Sequence, residues 1–436
     1  MADKDDASHF WGSWRGPLHD GVAPHGNPPV QWSETSNVRW KVELPGPGHA
    51  TPVAWGDRIY VLSAVQTEKT VEPEEPTAGG QSQQAPPARG RGRRPPRPKP
   101  THVHQFVVSA LDRHTGKTVW QTVVHEEVPH EPGHITASQA SASPVTDGEH
   151  IIAFFGSRGL FSLDRKGKVL WEKDLGDMVT RNQFGEGASP ALHGNTVVVN
   201  WDHEGDSFIA AFDKGTGKEL WRNARDEPTS WSTPFIVEDN GRALVVVSAT
   251  NRVRAYDVKT GEDVWQCGGL GFNCIPSPVA AGGLLWVMSG YRGAAGMAIR
   301  YPGAKGDLTD TGAVAWRLEA GLSYVPSPLL YDGKLYFLER FQGMLSCYDL
   351  ASGKLHYTKQ RLEGLGNTYA SMVAADGRIY VQGRAGESVV FRHGETFEVL
   401  AQNKLEDAFD ASPIIVGDTL YLRGHKHLYA IAAPKS

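Results

Sequence analysis

The chain has 436 residues, 40% hydrophobic and 21% charged, with a formal net charge of −5, too mild to call for nucleic acid or a membrane surface as a partner. No apolar run is long enough to cross a bilayer as a helix. Cys267, Cys274 and Cys347 are an odd number at no metal-ligand spacing, which supports neither a disulfide framework nor a zinc site.

In chain order, residues 1–36 read as a lead-in segment. Its first ten residues, MADKDDASHF, have no apolar core and therefore no signal-peptide character. Asn37-Val-Arg-Trp40-Lys-Val42 then reads as a strand with no partner nearby in sequence. From there to the C-terminus two short motifs alternate. One is a Ser/Thr-Pro pair: Thr51-Pro52, Ser143-Pro144, Ser189-Pro190, Thr233-Pro234, Ser277-Pro278, Ser327-Pro328, Ser371-Met372 and Ser412-Pro413. From Ser143 onward its steps are 46, 44, 44, 50, 44 and 41 residues, and only the first step, 92, is out of line. Repeats of this length, each holding several short strands between turn clusters, predict a β-propeller.

The other motif is a turn followed by Trp: LDRHTGKTVW to Trp120, LDRKGKVLW to Trp171, FDKGTGKELW to Trp221, YDVKTGEDVW to Trp265, DTGAVAW to Trp316 and YDLASGKLHY to Tyr357. In the third repeat the order reads as four strands, A to D: Ser189–Leu192, Thr196–Asn200, Phe208–Phe212, and one beginning at Glu219. Asp213 caps the tight C–D turn and Gly217 supplies its positive φ. Trp221 leaves strand D to wedge between neighbouring blades, so the Gly-rich stretch is a hairpin and not a phosphate loop. The last repeat ends after strand C, at Leu428–Ile431. The strand at Asn37–Val42 supplies its missing strand D and closes the ring. The predicted fold is all-β: residues 37–436 form a single eight-bladed β-propeller of four-stranded antiparallel blades, closed by the N-terminal strand.

The pattern SPV…DG.IYV…LD..TGK..W resembles the pyrroloquinoline-quinone (PQQ) repeat. The lead-in Trp11-Gly-Ser-Trp14-Arg15-Gly16-Pro17 through Asp20-Gly21-Val22 resembles that of a PQQ-like subgroup of secreted bacterial propellers. That family includes quinoprotein alcohol dehydrogenases and the non-enzymatic outer-membrane assembly protein BamB, so the resemblance is specific for fold and open for function. In the dehydrogenases it would imply PQQ clamped between a Trp and a disulfide of adjacent cysteines, with calcium held by Glu, Asn and Asp. No two cysteines here are adjacent. Cys267 and Cys274 share one loop, where pairing would make only a small clip. Glu186 and Trp231 could each serve half of such a site, but neither PQQ nor calcium is expected, and the chain reads as BamB-like. The resemblance also implies a periplasmic or secreted protein. The absence of a signal peptide from the first residues leaves the cytoplasm open.

A propeller site forms where D–A and B–C loops surround the channel mouth. The residues two before each Ser/Thr should face the axis there: His49, Ser141, Gly187, Trp231, Ile275, Val325, Tyr369 and Asp410. Ring closure makes blades 1 and 8 neighbours, which brings His49 beside Asp410, with Tyr369 one blade away. These three are the candidate catalytic residues, since a His next to a carboxylate suits a general base or part of a metal site. The blade 8 hairpin adds Arg423 and His425. Arginine recurs in the B–C hairpins at Arg158, Arg252, Arg292, Arg340, Arg384 and Arg423, a ring that would favour an anionic ligand. Asp202, His203 and Glu204, in the blade 3 B–C loop facing Glu186, are a second metal candidate.

Blade 1 carries a low-complexity insertion, residues 66–102, expected to be disordered. It ends in a basic tract, residues 89–99, with Arg89, Arg91, Arg93, Arg94, Arg97 and Lys99, which could meet an acidic partner. Two readings stay open: a monomeric binding or scaffold propeller for a protein or glycan ligand at the mouth, and an enzyme acting there on a carbohydrate or other anionic substrate. A PQQ-dependent dehydrogenase is the reading that the cysteines oppose.

Overall fold

The computed structural model describes residues 7–71 and 97–434. Among these the strands fall into eight sheets arranged as blades, each built on four antiparallel strands, with one parallel fifth strand added to blade 4. The inner strand A of each blade follows its Ser/Thr-Pro pair: Val53–Trp55, Val145–Thr146, Ala191–His193, Phe235–Asp239, Val279–Ala281, Leu329–Tyr331, Val373–Ala375 and Ile414–Val416. Blade 3 shows the plan, with Thr196–Trp201, Phe208–Asp213 and Glu219–Ala224 succeeding its strand A outward. In blade 8 the outermost strand is Val38–Glu43, antiparallel to His427–Ile431, so the two ends of the chain share one sheet. No helix is long and apolar enough to cross a membrane.

The hydroxyls of the Ser/Thr-Pro pairs bind the blades together at the axis. The Thr51 N–H donates to Ser143 Oγ, Ser143 N–H to Ser189 Oγ, and Ser189 N–H to Thr233 Oγ1, at 2.8 to 3.0 Å. The chain of bonds continues through Ser277, Ser327, Ser371 and Ser412, and Ser412 N–H returns to Thr51 Oγ1 at 3.0 Å. Each residue donates its backbone N–H forward to the next blade and accepts on its side chain from the one before, in an unbroken ring of eight.

At the outer rim the turn-and-Trp motif does the corresponding work. The indole N–H of Trp40, Trp120, Trp171, Trp221 and Trp316 donates to the carbonyl of the next blade's C–D turn, at Arg113, Arg165, Lys214, Val258 and Leu350 respectively. In each turn the preceding Asp accepts from backbone N–H groups that would otherwise lack partners, as Asp213 Oδ1 does from Gly215 and Thr216. The turn glycines Gly116, Gly167, Gly217, Gly261 and Gly353 have φ between +70° and +84°, and a Cβ on any of them would sit 2.6 to 2.8 Å from the Trp ring. Both conformation and contact therefore demand Gly. Trp265 departs from the rule. The long C–D connection of blade 5 instead lays Gly306–Asp307 alongside Trp265–Gln266 as a fifth strand.

Hydrophobic layers lie between blades, as where Ile152 and Phe154 of blade 2 meet Val197, Val199 and Trp201 of blade 3. The lead-in occupies the channel end at the A–B turns. Trp11 exchanges backbone hydrogen bonds with Ala54 of blade 1, and Gly12 accepts from Thr146 of blade 2. Further on, Gly21 and Ala23 pair with Ala374 of blade 7. The buried Arg15 guanidinium donates to the carbonyls of Met372 and Pro328 at 2.9 and 3.0 Å. The lead-in thus supplies partners to inner-strand edges that would otherwise face the channel.

One correction concerns blade 1. Its middle strands run Arg58–Thr70 and His102–Asp112, with Gln66 opposite His104 and Thr70 opposite His102. Ordered hairpin therefore extends into the segment expected to be disordered, because Thr67 Oγ1 and the Val71 N–H bond across to Val103 and Thr101. Residues 72–96, including most of the basic tract, lie outside the described residues.

Replacing Ser327 by Ala leaves the buried Ser277 N–H without an acceptor and should cost about 1–3 kcal/mol in denaturant unfolding. Two glycine substitutions separate the two demands on the rim turn. Gly194 has φ +57° and open space around it, so Gly194→Ala should cost about 1 kcal/mol. Gly217→Ala should cost clearly more, about 2–4 kcal/mol, since it must also displace Trp171. Equal losses would show that the Trp contact contributes nothing.

Candidate functional site

The channel mouth opens into a cavity of about 450 Å³, and all eight residues two before the Ser/Thr positions line it. Trp14 of the lead-in reaches the same cavity from the opposite end. Around the mouth are aromatic rings that the sequence reading passed over. Tyr291 stacks on Tyr324 with centroids 5.0 Å apart, and Phe184 tilts against Trp231 at 6.2 Å. Trp231 is fixed by its indole N–H to the Gly185 carbonyl, 2.7 Å. All of these rings sit on D–A or B–C loops, so asking which of those loops carry aromatics would have found them.

On the blade 8 side the structure brings His49, Asp410 and His425 together. His425 Nε2 lies 2.9 Å from Asp410 Oδ2, and His49 Nε2 lies 3.6 Å from the same oxygen. The two imidazoles stack with centroids 4.9 Å apart. Arg384 grips Asp410 from the other side, Nε to Oδ1 at 2.5 Å and Nη2 to Oδ2 at 3.1 Å, with its guanidinium 4.0 Å above the Tyr369 ring. Tyr369 therefore joins the group through Arg384. Burial alone would raise the Asp410 carboxyl, but the bonds from His425 and Arg384 outweigh it and hold it down to about 2. Burial lowers His49 to about 4 despite the attraction of Asp410, so its imidazole is neutral near pH 7.

The arginines do not form a ring. Arg423 is buried beneath the mouth, donating to the Ala50 and Leu62 carbonyls at 2.8 and 2.6 Å, and desolvation lowers its pKa to about 9. Arg158 is buried among Glu127, Asp177 and His130. Arg252 turns to Thr309 and Asp307, and Arg292 lies over Tyr291. Arg340 is exposed. Arg158, Arg252, Arg384 and Arg423 turn to the nearest carbonyl, hydroxyl or carboxylate, because a guanidinium out of water needs hydrogen-bond partners close at hand.

The Asp202-His203-Glu204 run does not converge either. Asp202 forms a bidentate pair with Arg225, 2.7 and 3.0 Å, with both side chains wholly buried. His203 Nδ1 accepts from the Val179 N–H, and Glu204 accepts from Thr229. Glu186 accepts from the Ser157 N–H and hydroxyl, while burial raises its pKa against those bonds. His130 accepts from Arg158 on Nδ1 and faces the Met178 carbonyl with Nε2 at 2.7 Å. Half-buried His134 lines the cavity. Among the described residues the group of His, Cys, Asp and Glu side chains able to share a cation is His49, Asp410 and His425.

Against known proteins, the family profile described as outer membrane protein assembly factor BamB, a PQQ-type repeat, matches residues 25–199, 104–268 and 163–301. The chain belongs to this PQQ-like propeller family. BamB of Burkholderia pseudomallei (strain K96243) is 29% identical over 186 residues, 41% of this propeller and 43% of that protein. The chain spans less than half the length of the curated relatives it matches. Among solved structures, BamB from Moraxella catarrhalis has a TM-score of 0.54 at 16% identity, covering 74% of this propeller and 91% of that one. A europium-containing methanol dehydrogenase has a TM-score of 0.62 at 12% identity, covering 96% and 90%. At such identities these two likenesses show the fold alone.

The donor set of this PQQ-like propeller does not fit the quinone clamp. Its three cysteines are all free and buried, so Cys267 and Cys274 do not pair, and burial raises both thiols. Glu186, the carboxylate nearest to a calcium role, is engaged by Ser157 on both oxygens.

The reassignment of Asp202 has a direct check. Asp202→Asn leaves Arg225 buried without its counter-charge and should destabilise the fold by about 3–5 kcal/mol in equilibrium unfolding. A loss below 1 kcal/mol would restore a functional role for Asp202.

Proposed function

We propose that this protein is an exported binding propeller that holds a protein or glycan ligand at the cavity mouth. The observation that carries the reading is the wall of Phe184, Trp231, Tyr291, Tyr324 and Tyr369 around a cavity of about 450 Å³. Flat rings on rigid loops bury much area at little entropic cost, which suits aromatic side chains or the apolar faces of sugar rings. Kinship with proteins described as outer-membrane assembly factors supports a binding role and a periplasmic setting. Monomeric behaviour belongs to the same proposal, since nothing in the fold requires a second copy. We propose the basic tract at residues 89–99 as a further contact for an acidic partner, on its charge alone.

A second reading, an enzyme at the same mouth, is favoured by one feature. Asp410 orients His425, whose side chain is 39% exposed and lines an adjoining cavity that shares His49 with the mouth, so a general base would stand ready beside it.

The test is titration, followed by tryptophan fluorescence, with oligosaccharides and with extended aromatic-bearing peptides, on the native protein and on Trp231→Ala. We expect saturable binding of one class, weakened about tenfold or more by the substitution. Binding indifferent to Trp231→Ala and Tyr324→Ala would place the ligand elsewhere. Turnover of the bound compound, abolished by His425→Gln, would favour the enzyme.

A further inference from the structure

The geometry around Asp410 points beyond a binding wall. We infer that His49, Asp410 and His425 form a three-ligand site for a divalent first-row transition cation of the zinc class, with its fourth position open to the cavity. The inference stands independently of the ligand reading above.

Both imidazoles aim Nε2 at the same carboxylate oxygen, at 2.9 and 3.6 Å, and the three donor atoms lie within 4.8 Å of one another. Ligands of one such cation, bound at roughly 2.0–2.2 Å, stand about 3–3.5 Å apart. The group is therefore within about an ångström of a coordination sphere, a distance that side-chain rotation covers. A hydrogen-bonding role explains only half of it. One His suffices to satisfy Oδ2, and at 3.6 Å His49 is too far to donate.

The backbone is already organised for this. The His49 N–H is held by the Ala140 carbonyl and by Ser138 Oγ, both at 3.0 Å, in the loop that enters blade 2. His425 sits on the B–C hairpin of blade 8, its N–H bonded to the Ala408 carbonyl at 2.8 Å. Arg384 holds the carboxylate by both oxygens, Nε to Oδ1 at 2.5 Å and Nη2 to Oδ2 at 3.1 Å, and so fixes the plane in which Oδ2 meets the two rings, as an outer partner that orients a ligating carboxylate does. Two imidazoles and one carboxylate suit zinc, cobalt or nickel, whereas calcium and magnesium favour oxygen-only sets. Three protein ligands with one position left for water or a bound molecule is the form that exchangeable, reactive zinc sites take. Arg384 also places a positive charge beside the cation, which weakens binding.

The experiment is to strip the intact protein with chelator and titrate it with Zn²⁺, and separately with Co²⁺ while following its visible absorption. One equivalent per chain is expected, with the strong bands of low-coordinate cobalt and a rise in melting temperature. His425→Gln, at a half-exposed position, should lower affinity at least tenfold while its metal-free melting temperature stays near the parent value. His49→Gln should do the same. Absence of stoichiometric binding would overturn the site, as would His425→Gln binding like the parent.

Discussion

Every blade of this molecule meets the next through one hydrogen bond at the axis, and the eight bonds form a circle with no free end. Ser or Thr is needed because a single residue must donate from its backbone and accept on a short side chain at once. In seven of the blades the Pro that follows has no N–H, so Ser/Thr carries the only donor of the pair; blade 7 has Met372 there instead. Interrupting any member leaves a buried donor unsatisfied. The circle also requires that blade 8 be present and complete when it meets blade 1. The strand Val38–Glu43 is therefore as much a part of the closure as Ser412 and Thr51.

The rim follows a different logic with the same outcome. There the contact is an indole N–H reaching a turn carbonyl, packed on a glycine. Blades thus touch through polar, directional bonds at the axis and at the edge, with apolar layers between. The arginines of the B–C hairpins belong to this scheme rather than to a ligand site. Arg423 ties blade 8 to blade 1 through the Ala50 and Leu62 carbonyls, and Arg384 ties blade 7 to blade 8 through Asp410. A guanidinium has five donors to satisfy, and neighbouring carbonyls are nearer than any solute.

The fold was legible because its signals are local. Ser189-Pro190 and the stretch from Asp213 to Trp221 each declare a turn or strand within a few residues, and their spacing counts the blades. The neighbourhood of His49 and Asp410 was legible for a different reason, since closing a ring of eight fixes which blades adjoin. What stayed hidden depends on where a long side chain ends. Nothing near Arg423 in sequence says that its head goes inward, and nothing near Asp202 names Arg225 as its partner. The role of the Ser/Thr hydroxyls was hidden too, because each donor sits on another blade some 44 residues away. The two strands extending beyond Val65 and before His104 were masked by composition, as their pairing rests on backbone bonds that charged residues make as well as apolar ones.

The lead-in has a consequence for what can occupy the channel. With Trp11 bonded to blade 1, Arg15 to blades 6 and 7, and Trp14 lining the cavity floor, the described residues of the lead-in stopper the axis at the end opposite the mouth. A polymer cannot be threaded through it or ratcheted along it. Whatever enters must be an end, a bend or a protruding side group, and it must back out by the route it came.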